Sequence, residues 1–301
     1  MKRALIAPIV LSVALSVSAQ PSVWREKGNE RVKVFYHPGD LENVAELIQA
    51  VDRALPDLEA KLGASLHSPA RIYLVSSQDE FDGVTGGTLP LWSQGVSFAE
   101  NGSVVLKSPR FSHDIETLHQ TAIHELAHVL IARKAGSSVP RWLNEGLALM
   151  LSGEGAGKPL MPLSRALWSG TVMPLSEVEQ VDAFAHPKAE LAYLESYHAV
   201  EFLVNQHGWE TLRRVLTAMR QGLSWEDALY RETALDQAGF EAAWRDHLAK
   251  SYRWMFLLNV QTILFLGALG LVVVAFIAML RRRRKIYQKW AAEEGPTQGI
   301  F

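Results

Sequence analysis

Two histidines four residues apart, in the run His124-Glu125-Leu126-Ala127-His128, are the side chains in this sequence best placed to do chemistry. They lie within Glu116–Arg133, where Leu118, Ala122, Ile123, Leu126, Ala127, Leu130 and Ile131 recur at helical spacing. Residues i and i+4 share one face of a helix, so both imidazoles can point at a single metal ion. Glu125 follows the first histidine directly. It sits close to that ion but off the ligand axis, where a carboxylate can take a proton from water. Seventeen residues after His128 (145 − 128 = 17), Glu145 stands in Arg141-Trp142-Leu143-Asn144-Glu145-Gly146-Leu147-Ala148. Two histidines and a glutamate, with one position open to water, form a recurring catalytic zinc set. The plainer reading of the first run alone is a helix with two surface histidines and an exposed glutamate; Glu145 shifts the weight toward a metal site.

The two runs together resemble the gluzincin metallopeptidases, whose third zinc ligand is a glutamate on the next helix. Trp142–Gly146 is particularly similar to zinc aminopeptidases and to the smaller peptidase-MA-like proteins, and the resemblance covers roughly Val32 to Ser251. It implies one Zn²⁺ per chain held by His124, His128 and Glu145, a protein or peptide substrate, and Glu125 as general base. It also implies an α+β, thermolysin/gluzincin-like fold: a small N-terminal sheet with the metal helices, then a helical lobe. Gluzincins stabilise the oxyanion with a Tyr or His from that lobe. In Ala192–Val200 the candidates are Tyr193, Tyr197 and His198, with preference for Tyr197; packing is the other role open to either tyrosine. There are departures. Thermolysin-like enzymes carry an Asp four residues after the glutamate ligand, where this chain has Leu149. The partner of a ligand histidine must then be Asp114, a backbone carbonyl or another group. The Gly-x-Met-Glu-Asn run that aminopeptidases use to hold a free N-terminus is missing, which points to an endopeptidase.

The elements that position these residues follow from pattern. Arg31–Tyr36 and Arg71–Val75 are rich in β-formers and read as strands. A helix is expected over Leu41–Leu55, broken or kinked at Pro56. Phe81–Gln94, punctuated by glycine and proline, reads as a mobile loop. Gly95–Ala99 and Ser103–Lys107 form a hairpin around Asn101-Gly102. The resemblance gives such an edge strand a role in binding the substrate backbone; an ordinary structural hairpin is the alternative. Ser112 or Asp114 is expected to cap the metal helix, and His113 and His119 to be surface polar residues. Gly136-Ser137-Ser138 closes that helix, Pro140 opens the next, and Gly153–Gly157 is a loop. Helices follow, with caps at Ser176 and Ser224, over Ala189–Gln206, Trp209–Arg220 and Phe240–Lys250.

The two ends place the chain in a membrane. Met1-Lys2-Arg3, the apolar Leu5–Val17 and the small residues Val17-Ser18-Ala19 read as a signal peptide over 1–19, with an uncleaved anchor as the alternative. Met255–Leu280 is uncharged and long enough to span a bilayer. Arg281-Arg282-Arg283-Arg284-Lys285 follows at once and marks the cytoplasmic side, while Tyr252, Trp254, Tyr287 and Trp290 flank the span as interfacial aromatics do. Residues 20–254 hold 22 Lys+Arg against 30 Asp+Glu, a net of −8; the tail 281–301 holds six against two, a net of +4. An acidic outer domain excludes nucleic acid as an expected partner. No cysteine is present, so there are no disulfides or thiolate ligands, and about 235 residues suffice for a core without them.

The expectation is a single-pass protein of the bacterial inner membrane. It has a peptidase-MA-like domain over 20–254 in the periplasm, a span over 255–280 and a cytoplasmic tail over 281–301. The competing reading is a non-catalytic binding or scaffold module of the envelope on the same fold, and a third is a zinc hydrolase acting on a non-peptide bond.

Overall fold

Alternation of buried and open positions builds the N-terminal strands. In β2 (Val32–Tyr36), which β1 (Arg25–Gly28) precedes, Val32, Val34 and Tyr36 are buried while Lys33 and Phe35 are less so. The computed structural model describes residues 24–293 apart from 88, 91, 113, 114 and 259. The signal-peptide stretch, His113, Asp114 and the end of the tail lie outside the described residues. The chain divides into two compact units, one of residues up to Leu55 with Leu66–Ala122, the other of Pro56–Ser65 with Ile123 onward.

The first unit is a five-stranded sheet with its helices. Helix α1 (Leu41–Leu62) leads to β3 (Ala70–Val75), helix α2 (Gln78–Thr85) follows, and the hairpin β4 (Gly95–Phe98) and β5 (Ser103–Lys107) comes next. The order is β1-β2-β3-β5-β4. The pairs β2–β3 and β3–β5 are parallel, and β1–β2 and β4–β5 antiparallel. β4 is therefore an edge strand, and its connection to β5 takes four residues, since Phe98 pairs with Ser103.

Two expectations are corrected here. Helix α1 does not stop at Pro56 but runs through it to Leu62 and ends at Gly63, whose φ is +62°. Val51, Leu55, Leu58 and Leu62 stay buried on one stripe across the proline, and that packing outweighs the one hydrogen bond the ring removes. The stretch from Phe81 is not all loop. Ser77 caps α2 by accepting from the Glu80 N–H at 3.2 Å, and Phe81 is fully buried with Val75 and Val105. The short helix α3 (Pro109–Ser112), where Ser112 was expected as a cap, precedes the metal helix.

The second unit is helical. It contains most of α4 (Ile115–Ala135), then α5 (Arg141–Ser152), α6 (Met161–Ser169) and α7 (His186–Arg220), the last interrupted at Gly208. Helices α8 (Trp225–Thr233), α9 (Gln237–Tyr252) and α10 (Val260–Glu293) complete it. Trp142 of α5 centres its core, stacked on Phe240 at 5.8 Å and edge-on to Trp225 at 5.1 Å. Ser224 caps α8 as expected, accepting from Asp227 N–H. Ser176 does not cap a helix: Leu175–Ala183 is a 3₁₀ segment, and Glu179 there accepts the Arg141 N–H at 2.7 Å, capping α5 in place of Pro140. The chain is thus mixed α and β, mostly helical, with a small N-terminal sheet. Within α10, Ile263–Trp290 is long and apolar enough to cross a membrane.

Candidate metal centre

Helix α4 places His124 and His128 one turn apart. Gly136, with φ of +86°, ends it, and the chain turns back into α5, which carries Glu145. Helix α5 lies close against α7 because residue 146 is glycine; a Cβ there would overlap the Ser196 carbonyl and Val200. The three side chains converge. Nε2 of His124 and Nε2 of His128 are 3.1 Å apart, and Oε2 of Glu145 is 3.5 Å from the first and 3.7 Å from the second. Two donors on one tetrahedral zinc, each at about 2.0–2.1 Å, lie about 3.3 Å apart. The donor set therefore fits a zinc-sized ion without rearrangement.

Orientation is set by the groups behind the donors. Nδ1 of His128 is 3.1 Å from Oδ1 of Asn144, which accepts a hydrogen bond from Nδ1–H and leaves Nε2 as the lone-pair donor. Nδ1 of His124 is 3.5 Å from Oε2 of Glu154. Arg141 Nε lies 2.9 Å from Oε1 of Glu145, so Oε2 is the oxygen turned to the imidazoles.

Charge agrees with geometry. Burial opposes a proton on His124, yet the carboxylates of Glu145, Glu154 and Glu125 together raise it to about 10. Burial likewise opposes the charge on Glu145, but His128, His124 and Arg141 bring it down to about 2. The potential that holds a proton on a buried imidazole is the potential that attracts a cation.

The structure brings His124, His128 and Glu145 together, with Glu125 buried on the same helix. Tyr197 has other partners. Its ring covers Gly155, where a Cβ would overlap it, and its hydroxyl donates to Oε1 of Glu201 at 3.3 Å. Burial and Glu201 push that hydroxyl up to about 12, so it remains a neutral donor. His198 Nδ1 sits 2.8 Å from the other Glu201 oxygen. Tyr193 is half-buried, with Lys158 Nζ 5.9 Å from its ring centre. Sequence reasoning missed Asn144, Arg141 and Glu154 as supporting groups. Asn144 and Arg141 were visible inside the Trp142–Gly146 neighbourhood; Glu154, between glycines, carried no signal of its own.

Among solved structures the chain is similar to native leukotriene A4 hydrolase from Saccharomyces cerevisiae, at 15% identity and a TM-score of 0.43, covering 70% of this chain and 36% of that one. It is also similar to an M1 zinc metallopeptidase from Deinococcus radiodurans bound to a Tyr-Ser-Ala substrate, at 14% identity and a TM-score of 0.42, covering 74% and 51%. The chain thus spans about half or less of the length of these structures. No curated protein sequence matches it. The sequence profile of the Peptidase MA superfamily matches residues 50–250, two thirds of the chain. This chain belongs to the Peptidase MA superfamily.

Proposed function

We propose that the protein is a membrane-tethered zinc metallopeptidase that cleaves peptide bonds, more readily within a chain than at its N-terminus. The single observation that carries this reading is the convergence of His124 Nε2, His128 Nε2 and Glu145 Oε2. When bound there, Zn²⁺ supplies Lewis acidity, which makes water a stronger acid and polarises a carbonyl. Glu125 takes the proton from the attacking water and passes it to the leaving amine. Asn144 and Glu154 fix the two imidazoles with their Nε2 atoms forward, and Arg141 holds Glu145 in place. Tyr197 is the proposed oxyanion donor; its hydroxyl would exchange Glu201 for the developing charge, with Tyr193 or His198 as the other donors on α7. As an edge strand, β4 has the backbone groups to take an extended peptide as a further strand. The proposed topology puts residues 20–254 outside the cytoplasm, 255–280 across the bacterial inner membrane and 281–301 inside.

Elemental analysis of the purified full chain tests the site. About one zinc per chain is expected, lost in Glu145→Ala and retained in Glu125→Gln, with peptide hydrolysis abolished in both. Full hydrolysis by Glu125→Gln would overturn the general-base role. A chain that takes up no zinc after reconstitution would make an envelope binding module the better account.

A further inference from the structure

We infer that the second unit touches the membrane at a second place, through an aromatic platform formed by Trp168 and Trp254 that sits in the headgroup region of the bilayer. The inference rests on the reading of α10 as a membrane span.

Helix α6 buries one face, through Leu163, Ser164 and Ala166, and leaves Arg165 and Trp168 in the open. The 3₁₀ segment Arg253–Leu258, which joins α9 to α10, packs beside it. Ser164 Oγ donates to the Arg253 carbonyl at 3.2 Å. The Trp168 and Trp254 rings meet edge to face at 5.6 Å, and the Arg253 guanidinium lies 5.6 Å from the Trp168 ring centre. Two indoles from distant parts of the chain are thus fixed side by side, yet Trp168 remains 46% exposed and Trp254 59% exposed. Packing that brings two large aromatic rings together ordinarily buries them. Here it holds them at the surface.

Position and charge say what covers them. Helix α10 begins six residues after Trp254 (260 − 254 = 6), so the platform adjoins the point where the chain would enter the bilayer. Indole rings favour that boundary, with the apolar body toward lipid and the N–H toward water. No Asp or Glu occurs between Glu154 and Glu177, whereas Lys158 and Arg165 do, and Arg253 is beside the rings. In an outer segment of net −8, this stretch is free of the repulsion an acidic face would meet at anionic headgroups. The occupant that fits is therefore a lipid headgroup layer rather than a second protein. Its consequence is that α6, and not α10 alone, fixes how the second unit stands on the membrane.

The absence of cysteine makes the test direct, since one introduced thiol is the only labelling site. The full chain would carry a fluorophore at Ser169→Cys beside the platform, Leu271→Cys within α10, or Tyr230→Cys on α8. Each would be reconstituted in phosphatidylcholine–phosphatidylglycerol vesicles and quenched by lipids spin-labelled at the headgroup or deep in the acyl chain. The label at 169 is expected to be quenched about twofold more by the shallow lipid than by the deep one. Substituting Trp168→Ala and Trp254→Ala together should remove that quenching. The label at 271 should respond to the deep lipid and that at 230 to neither. If 271 is quenched and 169 behaves like 230, the platform is overturned while the membrane reading stands. If 271 is not quenched, the membrane reading falls and the platform with it.

Discussion

Oε2 of Glu154 faces Nδ1 of His124 across 3.5 Å, so a carboxylate nine residues beyond the metal-facing glutamate (154 − 145 = 9) backs the first histidine of the metal helix. Leu149, where thermolysin-like enzymes carry an aspartate, is buried and apolar. The turn that carries Glu154 is pinned by Gly155 under the Tyr197 ring, which ties the aim of a histidine on α4 to a side chain on α7. Removing the carboxylate in Glu154→Ala should weaken zinc affinity about 10- to 100-fold. Glu154→Gln, which keeps an acceptor oxygen, should fall between. Competition with a chromophoric chelator reads this directly, and equal affinity for all three proteins would remove Glu154 from the site.

Metal uptake should depend on pH with a defined sign. The ion must displace a proton from His124, whose value in the metal-free protein is about 10, while Glu145, at about 2, is already ionised. Apparent affinity should therefore rise by about tenfold per pH unit between pH 7 and 9, one proton being released per ion bound. Chelator competition across that range checks it. A flat profile would show that His124 gives up no proton on binding.

A second pH effect concerns stability. Glu195 of α7 is wholly buried, and both its oxygens lie 3.3 Å from the Met173 N–H. Burial raises it to about 8, against the lowering pull of that hydrogen bond and of Arg245. The folded chain thus keeps a proton that the unfolded chain loses at the ordinary carboxylate value. Stability should fall as pH rises from about 4.5 to about 8 and then level off, a loss of several kcal/mol by order of magnitude. Thermal melts of the metal-free protein should show this decline, and Glu195→Gln should flatten it and raise the melting temperature above pH 8.

The contact of α5 with α7 has no room for a side chain at residue 146. Gly146→Ala should destabilise the protein by about 1–3 kcal/mol through overpacking and loosen the metal site, because Glu145 is the neighbouring residue. Calorimetry with and without zinc checks both effects. Gly157→Ala, where a Cβ meets nothing within 4 Å, is the control and should change neither.

The convergence of His124, His128 and Glu145 was legible in the sequence because a helix repeats its face every three to four residues. His124 and His128 are bound to align, and the Trp142–Gly146 run marks where Glu145 must stand. Strand β2 was legible for the same kind of reason, since Val32, Val34 and Tyr36 alternate, whereas the wholly exposed β1 carried no such pattern and was not expected. What could not be read depends on contacts between distant segments. Glu154 reaches His124 only once the glycine turn folds back. Glu179 caps α5 from 38 residues away (179 − 141 = 38), and no local pattern announces it. Pro56 misled because local propensity cannot weigh the burial of Leu55, Leu58 and Leu62 around it. Helix α6 was not singled out; it opens with Pro162 in its first turn, where the missing N–H costs little.

The ion pair between Arg141 and Oε1 of Glu145 also bears on which ion the cluster prefers. With one oxygen taken by the guanidinium, Glu145 would offer a metal a single donor atom, and the two imidazoles would supply one each. Calcium needs six to eight oxygens and magnesium a full octahedron of them, neither of which this set begins to provide. Two nitrogens and one oxygen instead suit the late first-row ions, whose affinities for such a set follow the Irving–Williams order, so the donor set alone does not single out zinc. Selectivity would then lie with supply in the compartment rather than with the protein, and cobalt or nickel should occupy the same three atoms when zinc is withheld.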